Sequence, residues 1–274
     1  MLKKLLKYEW RDTRKLLLPI NLAIVAFTLI GCILLNTNLF DTELGVVLAF
    51  FLTLFYTLTI VVFSSITTIY IYVRFYKNLY TREGYLMHTL PVTSNELFHS
   101  KLIVGFFWAS LNSVLTISSF MALGAAAGIR ASTTYLSDEL SSINIPAAIT
   151  DIFGYPLPCL LLWILLLMIV SSFFSVLMEY MSVLLGQQMK TNKLAVSLVI
   201  YLGMYLLTQI VTSIGAMIPS FFITEEALET EAFFSMFSQM MQILFPSATL
   251  LYLVFGIIFY LICRKLLKRN VNLD

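Results

Sequence analysis

Side chains able to do chemistry are scarce in this sequence, and each stands nearly alone. His88 and His99 are the only histidines, with no cysteine or carboxylate arrangement around them, so they make no metal site. Cys32, Cys159 and Cys263 are far apart and match no zinc or redox spacing. They read as buried free thiols, with a Cys32–Cys159 disulfide as the alternative. There is no G-x-x-x-x-G-K-[ST], so no nucleotide binds through a P-loop. Neither H-E-x-x-H nor G-x-S-x-G occurs. No catalytic residue and no metal ligand is therefore expected, and the chain does not read as an enzyme. One carboxylate stands out: Glu179, inside a long apolar run, seven residues before Gly186. At about 1.5 Å per residue it lies roughly 10 Å from the end of that run. A carboxylate in such a place lines a path or pairs with a partner. Alternatively it reaches the nearby interface beside Lys190 or Lys193 and does nothing more. Asn21, Asn112 and Gln209 are further polar groups in apolar runs. They join helices by hydrogen bonds or, in the case of Asn112 and Gln209, line a substrate path with Glu179.

The elements that must carry these residues are set by composition. Of 274 residues, 59% are hydrophobic and 12% charged, and mean hydropathy is +0.90. A soluble domain carries about 25% charged residues; here too few exist to coat a globule. A helix crossing the hydrocarbon core needs roughly 20 apolar residues, and runs of that kind fall at 16–35, 46–73, 102–127, 157–185, 194–218 and 246–263. The first is long enough to span and has no small-x-small cleavage site after it, so it reads as a retained span and not as a signal peptide. The spacing thus predicts an all-α integral membrane protein, a single transmembrane domain over residues 1–274 with six helical spans.

Charge sets the orientation. All of the 17 basic residues except Arg130 fall on one set of connections and tails. Asp41, Glu43, Asp138, Glu139, Asp151, Glu225, Glu226, Glu229 and Glu231 fall on the other. The positive-inside rule then puts both termini in the cytosol of a multi-pass protein. Before the first span, Leu2, Leu5, Leu6 and Trp10 share one helical face opposite Lys3, Lys4, Lys7, Arg11 and Arg14, the pattern of an N-terminal interfacial helix. Residues 128–156 are polar and read as an external loop. In residues 219–245, an acidic stretch precedes Phe233, Phe234, Met236, Phe237, Met240, Met241 and Phe245. That apolar piece is too short to cross and is set off by Pro246. It predicts an outer re-entrant helix, or else an outward extension of the last span.

The connection between the second and third runs, Arg74 to Lys101, has internal punctuation. Pro91 ends any helix formed by Tyr85 to Leu90, and Thr93 with Glu96 forms a capping box that restarts one into the third span. Leu86, Met87 and Leu90 would then present an apolar face to water, which means a partner.

At this segment the sequence resembles the permease subunits of type-2 ATP-binding-cassette exporters from Gram-positive bacteria. These have a basic amphipathic start like Met1 to Trp10 and a Glu-Gly-Tyr-Leu-x-x-Thr-Leu-Pro-x-(Ser/Thr) segment, matched by Glu83 to Thr93, followed by a lysine like Lys101. The resemblance implies a cytosolic coupling helix whose docking residues for a separate ABC ATPase are Glu83, Gly84, Tyr85, Leu86, Met87, His88, Leu90 and Pro91. ATP and Mg²⁺ would bind that ATPase, and this chain would hold no cofactor. It also implies residence in the bacterial cytoplasmic membrane and pairing with a second permease, as a homodimer or with a paralogue. The compact form, without a large extracellular domain, is most similar to exporters of amphipathic peptides such as phenol-soluble modulins. Related permeases serve bacteriocin immunity or drug efflux. A non-transporting membrane scaffold and a membrane enzyme built on a single carboxylate are the other classes; no nucleic acid is expected as a partner.

Overall fold

The computed structural model describes residues 1–37, 42–80, 92–135, 145–189, 192–217 and 230–269. They form α1 (Leu2–Leu35), α2 (Glu43–Tyr80), α3 (Ser94–Tyr135), α4 (Ile145–Phe153), α5 (Leu157–Gly186), α6 (Lys193–Met217) and α7 (Thr230–Arg269). All of these except the nine-residue α4 are long and apolar enough to cross a membrane. Lipid offers a backbone no partner, and a helix satisfies its own. Large apolar side chains such as Phe50, Phe55, Leu162, Val199 and Leu206 point outward, as a surface bathed in acyl chains requires. The chain is thus an all-helical, multi-pass membrane protein.

The helices overrun the runs read from hydropathy. Residues 2–14 are the first turns of a continuous 34-residue α1 and not a separate helix. The cause is visible in the burial pattern. Glu9, Thr13, Leu17, Asn21 and Ile24 make one buried stripe that passes from the basic flank into the apolar run without changing phase. The third run likewise starts earlier than 102, because Thr93 and Glu96 close the expected capping box. The Thr93 N–H donates to Glu96 Oε2 at 3.2 Å, and the Glu96 N–H donates to Thr93 Oγ1 at 3.3 Å. The coupling segment itself, residues 81–91, lies outside the described residues.

The outer part of the last run also differs from a separate dipping helix. Residues 230–245 continue into the span as one 40-residue α7 with Pro246 inside it. Proline lacks an N–H, so the carbonyl four residues earlier loses its helical donor. That carbonyl belongs to Gln242, and the Tyr155 hydroxyl donates to it at 3.2 Å. The Gln242 Nε2 in turn donates to the Gly154 carbonyl at 2.8 Å. Gly154 has φ of +71°, and a Cβ there would stand 2.5 Å from Gln242 Nε2, so only glycine makes this turn. The turn joins α5 to the preceding α4, which sits within the stretch expected to be a loop. Phe153 of α4 packs on Phe237 of α7 with ring centroids 6.1 Å apart.

The chain divides into two compact units: residues 1–73 with 99–143, and residues 74–98 with 144–274. In the first, partners on α1 and α3 are always 91 to 95 positions apart, so these helices run parallel and in register. Tyr56 with Ser119 encloses Ser64 with Asn112, so α2 runs antiparallel to α3. In the second, α7 packs along α5, and bonds between residues 154–177 and 242–263 keep separations of 86 to 88 positions. Gly186 beside Ser197 and Met178 beside Thr208 show α6 antiparallel to α5. In each unit, then, direction alternates from span to span.

Candidate functional site

Polar groups run the length of the first unit as a ladder between α1, α2 and α3. At the basic end Glu9 and Lys101 form an ion pair with side chains 7% and 3% exposed. One turn on, the Trp108 indole donates to Thr13 Oγ1 at 3.0 Å. The Thr13 hydroxyl in turn donates to the Glu9 backbone carbonyl at 2.8 Å. At mid-height the Asn112 amide donates to Ser64 Oγ at 3.0 Å, joining α3 to α2. Farther along, the hydroxyls of Thr28, Tyr56 and Ser119 meet, one from each helix. At the far end Arg130 donates to the Leu35 and Thr37 carbonyls, capping the end of α1. An apolar cluster of Ile24, Tyr56, Ile60 and Leu123 fills the space between these contacts.

Neither Glu9 nor Lys101 is singled out as a pair by sequence reasoning. The signal existed: Glu9 follows Leu5 by four positions and Leu6 by three, which puts a carboxylate on the apolar face of the helix. A charge there must find an opposite one or stay costly.

Glu179 stands in the second unit under different conditions. It is 2% exposed; the Ser175 hydroxyl bonds its carboxyl group, and its Oε2 has no partner. Ser172, Ser175, Glu179, Ser182 and Gly186 recur every three or four positions, one stripe of small and polar residues on α5. Ser172 and Ser182 spend their hydroxyls on carbonyls of their own helix, Met168 at 2.7 Å and Glu179 at 2.7 Å. Glu179 does not snorkel to the interface, since its carboxyl group is enclosed. Around it lie Val176, Leu177 and Val183, each fully buried. Tyr180 beside it stacks on Phe75 with ring centroids 3.8 Å apart.

Of the expected path residues, one belongs to the first unit and two to the second. Asn112 belongs to the first unit and serves there as a joint between helices. Gln209 is exposed on α6 and donates to the Tyr205 hydroxyl at 2.9 Å on the same helix. Asn21 donates to the Leu17 carbonyl of its own helix at 2.8 Å. The docking residues Glu83, Gly84, Tyr85, Leu86, Met87, His88, Leu90 and Pro91 lie outside the described residues. The three cysteines are free; Cys263 is buried as expected, whereas Cys159 is exposed, which corrects the reading of all three as buried.

No protein-family model matches the chain, and no curated protein or solved structure shows significant similarity to it. What the side chains can do therefore rests on their geometry. Glu179 offers one spare carboxylate oxygen inside an apolar wall, suited to a cation or a hydrogen-bond donor. The ladder of the first unit holds helices together. Its spare capacity is limited to single atoms, Asn21 Oδ1, Asn112 Oδ1 and Thr116 Oγ1 among them.

Proposed function

We propose that the chain is the membrane-spanning permease subunit of an ATP-driven exporter of the type-2 ATP-binding-cassette kind. Both termini face the cytosol of a bacterial cell, and two permeases, identical or paralogous, enclose the pathway. A separate ATPase binds ATP and Mg²⁺ and docks on Glu83 to Pro91. The cargo is amphipathic or apolar, in the manner of phenol-soluble modulins, because the spans offer aromatic, Met, Ser and Thr side chains and almost no charge. Glu179 is the group in this reading that meets a polar or cationic part of the cargo when the path opens.

The observation that carries the reading is the segment Glu83 to Thr93. It joins two helices that reach past their apolar runs, ending at Tyr80 and restarting at Ser94. The Thr93–Glu96 box at its edge supports a built element there, because a capping box fixes where a helix begins. Basic residues gathered on one side support the orientation.

Co-purification with a candidate ABC ATPase from the same cell tests the proposal. Tyr85→Ala or Leu86→Ala should weaken docking by about 1–3 kcal/mol, the cost of truncating an interface anchor. Transport falls with docking, while the permease still inserts and keeps its melting temperature. If these variants lower permease stability and leave ATPase recovery per folded permease unchanged, the segment is an ordinary loop and the proposal loses its support.

A further inference from the structure

Residues 3–10 of α1 and 103–107 of α3 line an open recess of about 400 Å³. Lys3, Leu6, Lys7 and Trp10 border it from α1, and Ile103, Val104 and Phe107 from α3. Along α1 the lysines lie about 10 and 5 Å below Trp10, at 1.5 Å per residue. Trp10 is held in place, edge-on to Phe107 at 4.7 Å and stacked on Trp108 at 5.4 Å. It nonetheless stays 36% exposed, beside Ile103 at 46% and Phe107 at 44%. The apolar wall therefore opens to the surroundings of a spanning helix and is not closed off inside the unit.

Among the described residues no acid pairs with the two lysines. Glu9, the nearest carboxylate in sequence, is buried against Lys101, and Asp12 faces Lys15 at 3.9 Å. Neither Lys3 nor Lys7 makes an ion pair among the described residues.

The geometry points to an anionic phospholipid as the occupant of this recess, its phosphate between Lys3 and Lys7 and its first acyl carbons along Trp10, Ile103 and Phe107. An inorganic phosphate would leave the apolar wall empty, and a zwitterionic lipid would leave the lysines uncompensated. Indole rings belong at the level where headgroup meets chain, and basic side chains on that flank attract anionic lipids. The leaflet occupied is the cytosolic one if the orientation proposed above holds; the recess itself does not depend on any transport role.

Native mass spectrometry of the detergent-purified chain, titrated with dioleoyl phosphatidylglycerol or dioleoyl phosphatidylcholine, tests the assignment. Wild type should retain the anionic lipid in preference to the zwitterionic one. The Lys3→Gln/Lys7→Gln double variant should lose roughly tenfold or more of that affinity, since each basic residue near a membrane surface adds measurably to anionic-lipid binding. Lys4→Gln/Arg11→Gln removes the same charge from positions that do not line the recess and should keep most of the preference. Trp10→Leu should weaken retention of both lipids, and the melting temperature of each variant shows that it is folded. An equal loss from both double variants would mean diffuse attraction without a seat, and would overturn the assignment. So would displacement of the lipid by millimolar inorganic phosphate, or an unchanged preference in Lys3→Gln/Lys7→Gln.

Discussion

The two compact units hold their helices by different means. In the first, polar contacts recur along the whole length of α1, α2 and α3: Glu9 with Lys101, Thr13 with Trp108, Ser64 with Asn112, and the Thr28, Tyr56 and Ser119 hydroxyls, beside ring contacts such as Phe27 with Phe63. In the second, hydrogen bonds gather at the Gly154–Gln242 turn, and rings and close approach carry much of the rest. Phe174 meets Tyr252, Phe255 and Phe259, and Phe98 meets Tyr180 and Tyr260. Gly186 lets α6 come within van der Waals contact of α5. Lipid tails are as apolar as leucine, so burial of apolar surface drives neither association. Hydrogen bonds and tight packing remain as the available forces. The comparison teaches that a membrane chain can weight the two differently in its two halves. It also shows why the two buried glutamates are not equivalent: Glu9 belongs to the polar scheme, whereas Glu179 interrupts the apolar one.

The sharpest break of this comparison is the same substitution made twice, at Glu9 and at Glu179. Glu9→Gln removes the ion-pair partner of a buried Lys101, and breaking such a pair costs about 3–5 kcal/mol. It should lower the melting temperature in detergent more than either Gly186→Ala or Glu179→Gln. Lys101→Met added to Glu9→Gln should recover much of that loss, since both charges are then gone. If Glu9→Gln alone is harmless, the ladder is not what holds the first unit.

An intermediate effect is expected from Gly186→Ala in the second unit. The new methyl would lie 2.5 Å from Ser197 Cβ and 2.7 Å from its Cα, and backbone atoms cannot move aside as a flexible side chain can. Overpacking of this kind costs about 1–3 kcal/mol. Thermal unfolding should show it, with Gly203→Ala, which has open space around it, as the neutral control.

Glu179→Gln should have the smallest effect on stability. Among the described residues no charged partner is orphaned, and the bond altered is the one from Ser175 within α5, worth about 1 kcal/mol as an ordinary intramolecular hydrogen bond. Transport assayed in vesicles should fall all the same under the proposed function. A melting temperature lowered as far as by Glu9→Gln would instead make Glu179 a structural member of its unit.

Much of the fold is legible in the sequence because lipid imposes a simple rule on composition. Six apolar runs correspond to six long helices, and Thr93 with Glu96 marks a helix start to the residue. The limits of the elements are harder to see. Hydropathy registers where a helix enters hydrocarbon and not where it stops being helical, so α1 and α2 extend beyond their apolar runs. Pro246 suggests a break, yet the helix passes through it, because the donor that repairs the gap sits on Tyr155, far away in the chain. α4 escapes notice for a related reason: nine residues are too few to register as a run beside serine- and threonine-rich neighbours. Within the candidate site, burial separates what sequence groups together. Asn112, Glu179 and Gln209 look alike as polar residues in spans, but one is a joint, one is enclosed and one is exposed.

The repaired carbonyl of Gln242 also bears on how the chain is made. During synthesis Tyr155 is in place long before Pro246 leaves the ribosome, so the last span enters the membrane with one backbone acceptor unfilled. That acceptor lies at the outer end of α7, where the bond to Tyr155 is exposed, so water can hold it until the protein donor arrives. The donor stands at the turn before α5, on the helix against which α7 must finally lie. A misdocked last helix would leave that carbonyl to other donors, whereas the docked one takes Tyr155. Pro246 thus ties the outer end of the last span to a bond that only docking on the α4–α5 turn completes.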